Sequence, residues 1–381
     1  MMPVAVESTH YLDHNATSPV RPEARRAVAD AMEHVGNASS VHRFGRVARR
    51  LIENARETVA GLVGAVPGDV IFTSGGTEAN NLAVHGAGRT RALVSAVEHV
   101  SILDAVPGAE RIPVDGDGVL DIEALDRLLA GDSRPALVCV MLANNETGVV
   151  QPIAEVAAIA HKYGARVHCD AVQAAGRIAV DIGALGVDSL SLSAHKIGGP
   201  MGVGALVLGC GVPLQGGQRG GGQESGRRAG TENLPGIAGF AAAVAATDPS
   251  VQSGLAALRD RVETETRRIC PASKVYGRNT ARLANTTCLS MPGVTAETQV
   301  MALDLAGVAV SAGAACSSGK VKASHVLAAM GIDKAEAETA IRISFGWNSN
   351  ADDVDRFLEA WTQLWIRAGS GTSDGNELKY G

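Results

Sequence analysis

The sequence predicts an α/β fold: a three-layer large domain on a mainly parallel sheet, joined to a smaller α+β domain. Three observations predict it. From about residue 69 to 208, short apolar runs alternate with amphipathic runs, the β-α-β rhythm of a parallel sheet covered by helices on both faces. Hydrophobic residues make up 46% of the 381 and aromatics only 3%, so the core must be built from Ala, Val, Leu and Ile, which suits strands buried on both faces. Polar residues able to do chemistry also recur just after the apolar runs, where open sheets of this kind bind ligands.

In chain order, helical patterns are expected at about Pro22 to Val35 and Phe44 to Val63, separated by a loop at 36–42. Asp69 to Phe72 reads as a buried strand running into Thr73-Ser74-Gly75-Gly76-Thr77-Glu78 and then a helix. Glycines and hydroxyls between strand and helix present free N–H groups to a phosphate, although the same residues also make an ordinary N-cap. Neither a P-loop nor a G-x-G-x-x-G motif is present. Further strands are expected at Arg91 to Ala96, Arg111 to Val114, Ala136 to Leu142 and Arg166 to Cys169, with helices at Asp121 to Ala130 and Ile153 to Tyr163. Ser189 to Ser193 and Val203 to Leu208 are strands too close in sequence for a crossover helix, so one of them should be antiparallel.

A glycine-dense stretch at 215–222 precedes a helix at about Pro235 to Ala246, a break at Asp248-Pro249 and a connecting helix over Val251 to Cys270. Beyond it, shorter strands (Thr286 to Met291, Val308 to Ser311, Ile341 to Phe345) alternate with helices (Glu297 to Leu305, Ser324 to Met330, Asp352 to Arg367). This assigns 14–250 to the large domain, 1–13 with 251–368 to the small one, and 369–381 to a polar, glycine-rich tail expected to be disordered.

Charge and cysteine usage narrow the function. The net charge of -6 is dispersed, which argues against a nucleic-acid partner. No apolar run is long enough to span a membrane, and Met1 to His10 lacks a signal pattern, so a cytoplasmic protein is expected. The six cysteines form no C-x-x-C, so neither a metal site nor a disulfide framework is indicated.

Lys196 stands out. It follows the apolar approach Val187 to Leu192 in Ser193-Ala194-His195-Lys196, ahead of a glycine-proline turn. A desolvated lysine has a lowered proton affinity and serves as an amine nucleophile, most familiarly as the Schiff-base lysine of pyridoxal phosphate. A solvated loop lysine fits the same residues. Gly75 to Thr77, His99, Asn145, Asp170 and Ser193 to Lys196 all follow strands, however, and together they bring an acid, an imidazole, an amide and an amine to one edge of the sheet. Cys316 has only small residues around it in Ser311-Ala312-Gly313-Ala314-Ala315-Cys316-Ser317-Ser318-Gly319-Lys320, so its thiol is expected to be exposed, with Lys320 and Lys322 favouring the thiolate.

From Tyr11 to about Phe357 the sequence resembles the cysteine desulfurases of the NifS/IscS group, within the class V aminotransferases of the fold-type I pyridoxal-phosphate enzymes. The stretches that carry the resemblance are Tyr11–Thr17, Phe72–Asn81, Glu98-His99, Asn144-Asn145-Glu146, Asp170 to Gln173, Ser193–Lys196, Gly230-Thr231-Glu232-Asn233, Ser311 to Gly319 and Ile341–Gly346. The resemblance implies pyridoxal 5'-phosphate bound to Lys196, with Asp170 on the pyridinium nitrogen, His99 stacked on the ring and Gln173 at its phenolic oxygen. Asn145 would lie on the ring or near the substrate carboxylate. Gly76, Thr77, Ser193 and His195 would hold the phosphate, and Thr231 would reach the phosphate of a neighbouring subunit in a homodimer. Arg342 would clamp the carboxylate of L-cysteine. Cys316 would take the sulfur as a persulfide, leaving L-alanine, and pass it to an acceptor such as an iron–sulfur scaffold. A transaminase or selenocysteine lyase of the same fold, or an idle sulfur-relay subunit, are the rival readings. Met201, where the family often has a basic residue, and Ser225, where it often has Arg, depart from the pattern.

Overall fold

The computed structural model describes residues 9–312 and 324–373, the last four by backbone alone. Cys316 lies outside the described residues. In chain order the strands are β1 (His10–Tyr11), β2 (Val70–Thr73), β3 (Arg91–Ser95), β4 (Glu110–Ile112), β5 (Ala136–Cys139), β6 (Arg166–Asp170), β7 (Ser189–Ser193), β8 (Gly204–Leu208), β9 (Thr286–Ser290), β10 (Val308–Ala309), β11 (Ser311–Ala312) and β12 (Ala340–Ser344).

Seven of them form the central sheet in the order β2-β8-β7-β6-β5-β3-β4. The five strands from β7 to β4 are mutually parallel. β8 runs antiparallel to both neighbours, as the short hop after Lys196 requires. β2, β5, β7 and β8 are buried at every position; β2, β5 and β8 accordingly read as near-continuous apolar runs, whereas β7 alternates serine and leucine. The parallel strands also bring their carboxyl ends to one edge. Helices Gly76–Gly86 and Ile153–Lys162 are among those that pack against this sheet, while helix Leu234–Ala245 packs on helices Pro22–Met32 and Arg43–Leu62.

The main core gathers aliphatic side chains between residues 24 and 283. A second core collects Leu12 with residues from Leu255 to Trp361 and holds the large aromatics Phe345, Phe357 and Trp361. It covers the three-stranded antiparallel sheet β11-β12-β9. Helix Val251–Ile269 links the two halves of the chain and contributes Leu255 and Val262 to this second core.

Two expectations are corrected. Val308 to Ser311 is not one strand: β10 pairs in parallel with β1, whereas β11 pairs antiparallel with β12, so the chain passes from one sheet to another at Val310. The last helix, Ala351–Ser373, begins before Asp352 and ends beyond Arg367. Its apolar stripe continues through Leu364, Trp365 and Ala368, which pack against the second core and sustain the helix there.

Candidate active site

At the carboxyl edge of the parallel strands lies a cavity of about 260 Å³. Nine residues expected from the sequence line it: Gly76, Thr77, His99, Asn145, Asp170, Gln173, Ser193, His195 and Lys196. The parallel topology explains the convergence, because β2, β3, β5, β6 and β7 each release their chain on this side.

Lys196 Nζ donates to the carbonyls of Asn15 at 2.6 Å and Ala16 at 2.8 Å. Burial, then the Arg342 and Arg177 guanidiniums, press its pKa down to about 7, against a partial upward pull from Asp13 and Asp170. A large fraction of the amine is therefore uncharged near neutrality.

Asp170, at the end of β6, accepts from Asn80 Nδ2 at 2.8 Å and from the Val172 N–H at 2.9 Å. Asn80 is the centre of a buried network that sequence reasoning missed. Its Oδ1 lies 3.0 Å from His168 Nε2, and its Nδ2 also reaches Ser101 Oγ at 2.8 Å. Burial lowers the His168 pKa to about 4, so the ring is neutral and Nε2 carries the proton towards the Asn80 oxygen. That fixes the Asn80 amide with its nitrogen on Asp170. The available signal was positional: His168 stands two residues before Asp170 on one strand, on the same face.

The network extends to His99, whose Nδ1 accepts from the Ser101 N–H at 3.2 Å and lies 2.8 Å from Ser101 Oγ. Nδ1 is thereby the acceptor, and Nε2 is the nitrogen that bears the proton. Burial lowers the pKa of His99, with Lys196 adding to the effect and Asp170 opposing it.

The opposite end of the cavity suits an anion. Helix Gly76–Gly86 begins there with Gly76 and Thr77 at its first positions, where N–H groups lack intrahelical partners. A Cβ on Gly76 would stand 2.9 Å from Val172 Cγ2, so only glycine fits this approach. Ser193 Oγ is buried without a hydrogen-bond partner, an open valence at the cavity wall. His195 Nδ1 lies 3.2 Å from Thr17 Oγ1. The donors, the orphan hydroxyl and the lysine together fit a phosphate-bearing aldehyde cofactor.

Two expected residues, Arg342 and Thr231, are absent from the cavity lining, and a third, Cys316, lies outside the described residues. Arg342 is buried beside it, donating to Asp13 Oδ1 at 2.6 Å and to the Asn145 carbonyl at 3.0 Å, with Nε unpartnered. Thr231 is exposed and away from the cavity. Cys316 lies outside the described residues, but Ser324, which follows that segment, donates from Oγ to Glu146 Oε2 at 2.5 Å. Burial raises the Glu146 pKa to about 7. Asn15 was also missed: its backbone and side chain contact Ser344, Asn145, Thr286, Gln173 and Arg177 around the site.

Comparison with known proteins places this arrangement. Residues 10–357 match the family model for aminotransferase class V. The chain belongs to the class V aminotransferase family. It is 44% identical to a cysteine desulfurase of Cereibacter sphaeroides, over 92% of this chain and 94% of that one. It is 41% identical to an IscS-like cysteine desulfurase of Mycobacterium tuberculosis, over 94% and 96% of the two chains. Among solved structures, a NifS-like protein from Rickettsia africae superposes with a TM-score of 0.87 at 36% identity, covering 94% of this chain and 99% of that one. The family is one of pyridoxal-phosphate enzymes, in keeping with the donor set around Lys196. Among the described residues no helix is long and apolar enough to cross a membrane, and no group of three or more His, Cys, Asp or Glu could hold a metal ion.

Proposed function

We propose that this protein is a cysteine desulfurase that uses pyridoxal 5'-phosphate to take sulfur from L-cysteine, releasing L-alanine and storing the sulfur as a persulfide on Cys316. The observation that carries the reading is the single cavity in which a lysine of lowered proton affinity faces a hydrogen-bonded carboxylate and an anion cradle with an unpaired hydroxyl.

The Gly76 and Thr77 amides, the Thr77 and Ser193 hydroxyls and His195 would hold the phosphate. Asp170, kept in place by Asn80 and the Val172 N–H, would accept a hydrogen bond from the ring nitrogen. Gln173 would donate from Nε2 to the phenolic oxygen, and His99 would cover the ring. When bound, the cofactor supplies an electron sink for the pair left as the substrate loses its α-proton.

The remaining steps belong to the chain. Lys196 Nζ, poised near neutral proton affinity, takes up the α-proton. Arg342 offers its unpartnered Nε and the guanidinium now shared with Asp13 to the substrate carboxylate. The Cys316 thiolate attacks the substrate sulfur: the sulfur–sulfur bond forms, the carbon–sulfur bond breaks with its electron pair left on carbon, and protonation there yields alanine. The persulfide then passes to an acceptor such as an iron–sulfur scaffold. A homodimer in the cytoplasm, with Thr231 completing the neighbouring phosphate site, agrees with the exposure of Thr231 away from its own cavity.

The decisive experiment supplies L-cysteine and measures alanine and protein-bound persulfide. Lys196→Ala should abolish both, and Cys316→Ser should abolish persulfide delivery to a scaffold protein. Undiminished sulfur transfer by Cys316→Ser would refute the reading.

A further inference from the structure

Arg177 sits beneath the site, and the chemistry above leaves it without a task. Its Nη1 donates to Gln173 Oε1 at 2.6 Å, to Asn15 Oδ1 at 2.8 Å and to the Gln173 carbonyl at 3.3 Å. Its Nη2 reaches the carbonyls of His14 and Lys196, both at 3.4 Å. Every acceptor is neutral. Among the described residues no carboxylate is in ion-pair range of this guanidinium, although buried cations are ordinarily paired. Arg342, the other guanidinium near Lys196, is paired with Asp13 at 2.6 Å.

We infer that Arg177 is a positioning residue of the active site: its fork sets the Gln173 amide with nitrogen towards the cavity, and its uncompensated charge disfavours a second cation at Lys196. The first part follows from hydrogen-bond polarity. A guanidinium only donates, so the Gln173 atom against it must be the oxygen. The Gln173 nitrogen then donates one hydrogen to the Asn15 carbonyl at 2.9 Å and keeps the other for the cavity that Gln173 lines. A residue meant to meet a phenolate needs that polarity; a flipped amide would present a lone pair.

The second part follows from charge balance. The groups that act on Lys196 are Arg342 and Arg177, which lower its proton affinity, and Asp13 and Asp170, which raise it. Asp13 is committed to Arg342 and offsets it at close range. Arg177 has no such partner, so its field reaches the lysine less compensated. The neighbouring imidazoles of His14 and His195 are both held to low proton affinity, chiefly by burial, and add no opposing charge near neutrality.

The inference rests on the proposed function for its cofactor-facing half, and the test separates the two. The full-length chain, freed of cofactor, is trace-acetylated with acetic anhydride across the neutral to alkaline range, and the Lys196 peptide is quantified by mass spectrometry. Labelling of the parent should be half-maximal near pH 7. Arg177→Met should move that midpoint upward; a rise of about one unit cuts labelling at neutral pH about fivefold. Arg177→Lys should weaken pyridoxal phosphate binding about tenfold, because one amine cannot replace the fork on Gln173 and Asn15. An unmoved midpoint in Arg177→Met overturns the electrostatic half, and parental cofactor affinity in Arg177→Lys overturns the orienting half. Should Arg177→Met not fold, Arg177→Gln carries the same expectation. A parent chain that binds no pyridoxal phosphate would sink the functional reading, while the labelling midpoint would still decide the role of the charge.

Discussion

Glu98 offers the sharpest test of the buried electrostatics. It precedes His99, is 1% exposed, and accepts a hydrogen bond from the Met141 N–H on one oxygen while the other, Oε2, has no partner. Burial, reinforced by the nearby Asp170 charge, raises its pKa from 4.5 to about 8. In the folded protein at neutral pH the side chain is therefore mostly a neutral acid. The linkage has a definite sign. Below the ordinary glutamate range both states are protonated and Glu98 carries no ionisation penalty. As pH rises from there to about 8, only the unfolded chain releases the proton, so the folded state loses relative stability. A difference of about three and a half units, at about 1.4 kcal/mol each, gives a loss on the order of 5 kcal/mol above pH 8. Glu98→Gln keeps the acceptor for Met141 and cannot ionise. Urea unfolding of both proteins, followed by fluorescence from acid to alkaline pH, should show the variant gaining stability over the parent at up to about 1.4 kcal/mol per pH unit. The gain should level off above the folded pKa. A stability difference that stays flat across this range would refute the reasoning, since it would mean that Glu98 ionises at the same pH folded or unfolded.

Asn80→Ala removes the charge-assisted donor to Asp170 and strands the buried His168 N–H, so thermal or urea unfolding should register a loss of about 2–4 kcal/mol. The same variant should also release pyridoxal phosphate more readily on dialysis. Ser193→Ala should cost less than about 0.5 kcal/mol of stability in the cofactor-free chain, because Ser193 Oγ has no protein partner to lose, yet it should weaken phosphate-ester binding by about tenfold as read by absorbance titration.

The sequence disclosed the fold where physics is local and repetitive. β7 falls on Ser189–Ser193 as expected because its buried run is bounded on both sides by turn signals. The antiparallel β8 was legible from the few residues between Lys196 and Val203, a chain-length argument that leaves no alternative. The cavity residues were legible because each closes a parallel strand and carries chemistry unusual for a strand end. What stayed hidden depends on contacts between distant segments. Asn80 lies inside a helix, where an amide at helical spacing reads as filler; only the folded chain places it against Asp170, ninety residues away. Arg177 looks like any surface arginine after a glycine until the loop at Asn15 folds over it. The break of Val308–Ser311 into two strands was invisible for a similar reason, since each half is defined by its partner and not by its own residues.

The short stretch after β1 has a practical consequence. Leu12 is anchored in the small core, Asp13 holds Arg342, Asn15 meets both halves of the molecule, and the Asn15 and Ala16 carbonyls receive Lys196. None of these side chains needs to react, yet trimming the front of the protein as far as this stretch would dismantle the lysine's resting place along with the Asn15 hydrogen bonds that tie Thr286 and Ser344 to Asn145 and Gln173. A fusion partner is better attached before the first described residue than in exchange for the residues up to Thr17, and activity lost in a shortened version should be traced to this strap before the chemistry is blamed.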